Sequence, residues 1–182
     1  MSVAAHMLRP VAAPSPECVM ERLGGSAPRT LYAAGPLRIL ATRRTGLFCS
    51  ARTPGEAILR AHDVARRLRD EGVTVISGFH SPIEKECLKI LLRGTQPLII
   101  CPGRAIESMP VPVDWRAAFE AGRILFLSPF ARRPKRITME SALRRNEVVA
   151  ALADEAYFAH IEKGGKTDQI VRKLTEWKVP LL

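Results

Sequence analysis

Long apolar runs are missing from this 182-residue chain. No stretch approaches the roughly 20 consecutive apolar residues of a membrane-spanning helix, so no membrane partner is expected. Aromatic residues are scarce, at 5%, and the core has to be built from aliphatic side chains and alanine. The four cysteines, Cys18, Cys49, Cys87 and Cys101, form no Cys-x-x-Cys pair. Three of them sit in or beside apolar runs, as buried thiols of a reducing compartment do, and neither a zinc site nor a disulfide framework is expected. The amino terminus carries no secretory pattern of basic, apolar and small-residue regions, and the expected location is the cytoplasm. No Ser-His-Asp order or metal-ligand spacing surrounds His62, His80 or His160, which argues against catalysis and against a metal. No cofactor is expected.

Acidic residues are in deficit: 18 Asp and Glu stand against 28 Lys and Arg, a formal net charge of +10. That balance suits a polyanionic partner, nucleic acid or an anionic nucleotide. An arginine-rich proteome would give the same figure, so the charge needs support from local pattern.

What is present is an alternation. In Glu71 to Pro82, Gly72 can take the left-handed conformation that stops a helix. Val73 to Ile76 is then a short β-branched run of the kind buried on both sides of a parallel sheet. Ser77-Gly78 turns the backbone at the strand's carboxyl end, the edge where open α/β sheets bind ligands. The same grammar recurs along the chain. Leu47–Cys49 reads as a strand, followed by a helix expected to start with Thr53 as N-cap, Pro54 and Glu56. Ser81-Pro82-Ile83-Glu84 starts a helix running to about Arg93. Strands at Pro97–Cys101 and Ile124–Leu127 flank a short helix at Asp114–Ala121. Thr138 caps a helix ending near Leu152, a weaker strand spans Glu155–Ala159, and a last helix spans Thr167–Trp177. Val179–Leu182 is a strand stub. The fold class expected is α/β: a Rossmann-like, mostly parallel sheet with helices on both faces, three layers in all. Residues 1–29, rich in Ala, Pro, Ser and Gly, read as a mobile or loosely docked arm on a domain spanning 30–182.

Three patterns point to phosphate. Gly164-Gly165-Lys166-Thr167 lies between a strand and a helix, where glycine N–H groups and a helix terminus favour an anion. It is not a P-loop, because the glycine required five residues before Gly165 is replaced by His160. Arg144-Arg145-Asn146 puts two guanidinium forks and an amide on one helical turn. Ser77-Gly78 offers a hydroxyl at a strand end. Each also has a plain reading: a surface turn, a solvated helix, a tight bend. Ala131 to Arg136 is a dense cationic loop.

Taken together and in order, these residues resemble the DNA-processing protein A family (DprA). Leu31-Tyr32-Ala33-Ala34-Gly35 looks like its Leu-Tyr-x-x-Gly lead-in, and Ser50-Ala51-Arg52 like its Gly-Ser-Arg loop. Gly72 to Gly78 is similar to its Gly-x-x-Val-x-Ser-Gly strand, Arg144-Arg145-Asn146 to its Arg-Arg-Asn signature, and the turn at Gly164 to its last glycine turn. Phe79 to Glu84 stands where the family usually has Ala-x-Gly-Ile-Asp. The resemblance implies a non-catalytic domain that binds single-stranded DNA in a basic pocket, forms a homodimer and helps load a RecA-type recombinase. It implies a site of Arg52, Ser77, Gly78, Arg144, Arg145, Asn146, Gly164, Gly165, Lys166 and Thr167. A rival reading is a nucleotide-binding enzyme or sensor like the lysine-decarboxylase-like LOG proteins, which act on nucleoside monophosphates. The chain lacks their Pro-Gly-Gly-x-Gly-Thr-x-x-Glu motif. An inert scaffold is the third.

Overall fold

A computed structural model of the chain describes residues 7–50 and 53–182. Its strands are β1 (Val11–Pro14), β2 (Thr30–Ala34), β3 (Arg44–Phe48), β4 (Thr74–Ser77), β5 (Leu98–Ile100), β6 (Ile124–Ser128) and β7 (Glu155–Phe158). They form one sheet in the order β1-β2-β6-β5-β4-β3-β7. The five strands from β6 to β7 are parallel, and β1 and β2 extend the sheet antiparallel beyond β6. The α/β sheet expected from the alternation is therefore present.

The parallel strands are apolar runs because both faces are covered. Leu47, Val75, Leu98, Ile100, Ile124 and Phe126 point to one core. Phe48, Ile76, Ile99, Leu125 and Leu127, alternating with them, point to the other. Helices α2 (Gly55–Asp70), α3 (Pro82–Leu92) and α4 (Val113–Glu120) cover the first core; α1 (Glu17–Leu23), α5 (Met139–Leu152) and α6 (Lys166–Glu176) cover the second. From β3 the chain steps outward through β4 and β5 to β6, then α5 carries it back to β7 on the other side of β3. The helices after β3 and β7 leave on opposite faces, which makes the gap between those strands the topological switch point.

Among the described residues, side-chain caps start two of the six α-helices. Ser81 and Glu84 close a capping box on α3, and Thr138 and Ser141 close one on α5. At α2 the expected box is not made. The helix begins at Gly55, and the Thr53 hydroxyl instead donates to the Ser50 carbonyl at 2.8 Å. Glu56 faces Arg60 at 3.5 Å. Gly72 has φ +72°, as its helix-stopping place requires.

Residues 11–29, expected as an arm with one helical turn near Cys18 to Leu23, supply β1 and α1, and α1 contains that turn. Val19 is fully buried against the α5 side of the sheet, and Arg22 donates to the carbonyls of Ala151 (3.0 Å) and Ala153 (2.7 Å). The sheet thus includes two strands, β1 and β2, ahead of the Leu47–Cys49 run that the sequence marks as a strand. At the other end, Leu181 bridges parallel to Ala156, the stub expected there. Among the described residues, Cys18, Cys49, Cys87 and Cys101 are free thiols. No helix among them is long and apolar enough to cross a membrane.

Candidate functional site

All five parallel strands deliver their following loops to one rim. Along it, in sheet order, lie the loops after β6, β5, β4, β3 and β7. With strands about 4.8 Å apart, the loops after β6 and β7 are roughly 19 Å from each other. The residues singled out in the sequence spread over this whole length.

Three of them form a buried knot under the rim. Arg145 faces the sheet because it shares one side of α5 with Ser141, Val148, Val149 and Leu152, all buried. It is only 4% exposed. Its Nη1 donates to the Cys101 carbonyl at 3.0 Å, and its Nε approaches the Ala142 carbonyl at 3.4 Å. The guanidinium lies flat over Gly78: a Cβ at that position would overlap Arg145 Nη1 and Cζ. Ser77 is fully buried, and its hydroxyl accepts from the Phe79 N–H at 3.2 Å. The Ser77 carbonyl accepts from Cys101 N–H at 2.8 Å, joining the ends of β4 and β5.

Glu84 lies near enough to Arg145 for its charge to act on the guanidinium. Burial lowers the guanidinium's pKa, and the Glu84 and Cys101 groups oppose that loss. Glu84 itself is buried, and its carboxylate collects three backbone donors: Cys49 N–H at 3.1 Å, His80 N–H at 2.8 Å and Ser81 N–H at 3.2 Å. One acidic side chain thereby ties the loops after β3 and β4 to the start of α3. The neighbouring thiols stay protonated. Contact with Cys87, burial and the Glu84 charge all push Cys49 up, and burial pushes Cys101 to about 12. Neither is a nucleophile at neutral pH.

The glycine turn lies at the far end of the rim, after β7. Its donors are used internally. Gly164 N–H donates to the Asp168 carboxylate at 3.0 Å and Gly165 N–H to the Glu162 carbonyl at 2.9 Å. The bond from Gly164, with Arg172 at 2.9 Å, holds Asp168 below the usual carboxylate range. Lys166 is exposed and Thr167 half-buried at the first turn of α6. Arg52 lies outside the described residues.

Arg144 and Asn146, on either side of Arg145, are half-buried. Arg144 lines a cleft of about 1080 Å³ between α5 and the loop after β6. The cleft has apolar walls at Phe130, Pro134 and Leu143, and cations at Arg133, Lys135, Arg136 and Arg144. Glu147 lies at its α6 side, 3.8 Å from Arg144 and 2.6 Å from Lys173 Nζ. Arg132, Arg133, Lys135 and Arg136 are exposed, and no acidic side chain among the described residues pairs with them. The loop is held in place by Ala105 N–H donating to the Pro134 carbonyl (2.8 Å) and by Arg104 donating to the Lys135 carbonyl (3.0 Å). The sequence marked this loop as cationic but did not place it at the site. Its position directly after a sheet strand is the signal that would have done so. Among the described residues no group of three or more His, Cys, Asp or Glu side chains is arranged to hold a metal ion.

The fold is shared with known proteins. The chain is similar to DNA processing protein A from Helicobacter pylori, whose structure was described for its single-stranded DNA binding mode. The two are 19% identical, with a TM-score of 0.76, over 96% of this chain and 80% of that one. It is similar to DNA processing protein A from Streptococcus pneumoniae at 15% identity and a TM-score of 0.74, over 98% of this chain but 64% of that one. A molybdenum cofactor binding protein from Rippkaea orientalis is more distant, with a TM-score of 0.53 at 10% identity over 77% of this chain and 74% of that one. No curated protein sequence matches it. The family model for DNA recombination-mediator protein A matches residues 14–165, from the end of β1 to the glycine turn. Sheet order, ordered motifs and that match agree: the chain belongs to the DNA recombination-mediator protein A family.

Proposed function

We propose that this chain binds single-stranded DNA along the carboxyl rim of its sheet, without catalysing a reaction on it. The observation that carries the reading is the row of unpaired cations, Arg132, Arg133, Lys135 and Arg136, beside an apolar-walled cleft at that rim. Guanidinium and ammonium groups neutralise phosphates, and apolar walls accept the faces of unstacked bases. Of the sequence-derived set, Arg144, Asn146, Lys166 and Thr167 would touch the strand, a reading supported by their partial or full exposure. Ser77, Gly78 and Arg145 shape the rim from beneath, with Gly164 and Gly165 fixing the start of α6. Arg52, which follows β3 in the sequence, is assigned a phosphate by family resemblance. A rim about 19 Å long suits several nucleotides of a single strand better than a mononucleotide.

Family membership supports three further proposals: action in the cytoplasm, a homodimer, and a contact with a RecA-type recombinase. Light scattering tests the dimer, and co-sedimentation of the recombinase on DNA with this protein tests the contact.

Fluorescence anisotropy with labelled oligo-dT over a range of salt concentrations tests the main reading. Binding should weaken steeply and log-linearly as salt rises. Binding absent at low salt, or indifferent to salt, overturns it. Release of free base from nucleoside monophosphates would replace it with the enzyme reading.

A further inference from the structure

Three backbone N–H groups from two loops converge at the carboxyl ends of β3 and β4, beside the switch point. In an open α/β sheet such a nest is where a ligand's phosphate sits. Here both oxygens of one side chain already fill it. Glu84 Oε1 accepts from Cys49, and Oε2 accepts from His80 and Ser81. The Arg145 guanidinium, held by the Cys101 carbonyl over Gly78, adds a positive charge nearby. The donors are not consecutive in sequence: Cys49 is 35 residues from Glu84. A helix-capping glutamate needs only the local pair, at His80 and Ser81. The bond to Cys49 shows that the carboxylate also spans the carboxyl ends of β3 and β4.

We propose that Glu84 is a built-in occupant of an oxyanion cradle, and that it keeps the phosphate of a mononucleotide away from the carboxyl ends of β3 and β4. Negative charge at that point repels a second anion, and no N–H donor of the nest is left to receive one. The phosphates of a bound strand are thereby directed outward, to the exposed cations of the loop after β6. The cradle is a property of the chain alone. Its consequence for ligand choice rests on the proposed binding of single-stranded DNA.

The test compares wild type with Glu84→Ala. Melting is followed in sodium sulfate and in sodium chloride at matched ionic strength, and dTMP binding is measured by calorimetry. Sulfate stabilises proteins generally by exclusion from their surface, so the readout is the excess shift of the variant over wild type. Emptying the cradle should lower the variant's melting temperature in chloride. Sulfate should restore about 3 °C or more beyond its effect on wild type, as a bound ligand does. Affinity for dTMP should rise about tenfold or more. An equal sulfate response in the two proteins overturns the proposal, as does tight dTMP binding by wild type. If the variant does not fold in chloride, refolding in sulfate decides. Recovery supports an empty anion cradle, and no recovery in either salt overturns it. Oligo-dT binding by wild type is measured alongside. Its absence removes the proposed function and leaves the sulfate comparison standing on its own.

Discussion

Arg144 and Arg145 are neighbours in sequence, but successive residues on a helix point about 100° apart. That rotation turns Arg145 into the sheet and Arg144 toward the cleft. Alanine at the two positions should therefore have opposite effects. Arg145→Ala removes a buried guanidinium that donates to the Cys101 carbonyl and fills the space over Gly78. Deleting such a side chain with its hydrogen bond costs about 3–5 kcal/mol. In a chain of this length that is a fall in Tm of roughly 6–20 °C. Arg144→Ala breaks only a long, partly exposed contact to Glu147. It should change Tm by about 2 °C or less, while weakening oligo-dT binding. Thermal melting and anisotropy on the two variants check this, and a reversed pattern would put Arg145 on the ligand.

At the level of elements, β3 and β7 are joined by a clamp at their amino ends, far from the rim. Asp154, in the link from α5 to β7, accepts from Arg44 N–H at 2.8 Å, from its Nε at 3.0 Å and from its Nη2 at 3.1 Å. Partial burial pushes the Asp154 pKa up, but the Arg44 bonds and charge, with Arg22 nearby, outweigh it and leave the pKa lowered. A carboxylate with a depressed folded pKa adds stability above its unfolded value, near 3.9, and loses it as pH falls through the lower folded value. Asp154→Asn should thus melt below wild type at neutral pH. The gap should close as pH drops below about 4. A gap independent of pH would mean that shape rather than charge holds the clamp.

The same scale explains what the sequence disclosed. Val73–Ile76 and Ile124–Leu127 were legible because a strand covered on both faces is an apolar run. β1 was not, since its short Val-Ala-Ala-Pro segment has no pattern of its own and is set by pairing with β2. Glu84 was legible as a helix start, yet its bond to Cys49 crosses 35 residues and leaves no local mark. The glycine turn was visible, but the carboxylate that occupies it, Asp168, sits four residues on and reads equally as a first-turn acid. The burial of Arg145 could have been read from Ser141, Val148 and Val149, which lie three and four residues away on the same helical face.

For the whole molecule, the question is which part of its excess positive charge meets DNA. Three of the four arginines of α2, which lies on another face, are paired: Arg60 faces Glu56, Arg66 faces Asp63 and Arg69 faces Asp70. The loop after β6 has four cations without acidic partners, beside a cleft that opens on the rim. Counterion release converts this difference into a measurable slope, because each phosphate neutralised on a single strand adds about −0.7 to the slope of log K against log salt. Replacing Arg132, Arg133, Lys135 and Arg136 together by alanine should make the slope shallower by up to about 3. Replacing Arg60, Arg66 and Arg69 should change it by less than about 1, since paired arginines release few ions. Apart from the half-buried Arg69, the replaced side chains are exposed, and circular dichroism should show both variants folded. If the α2 variant lost the slope and the loop variant kept it, the strand would lie across the helices of the first core, and the rim would no longer be its path.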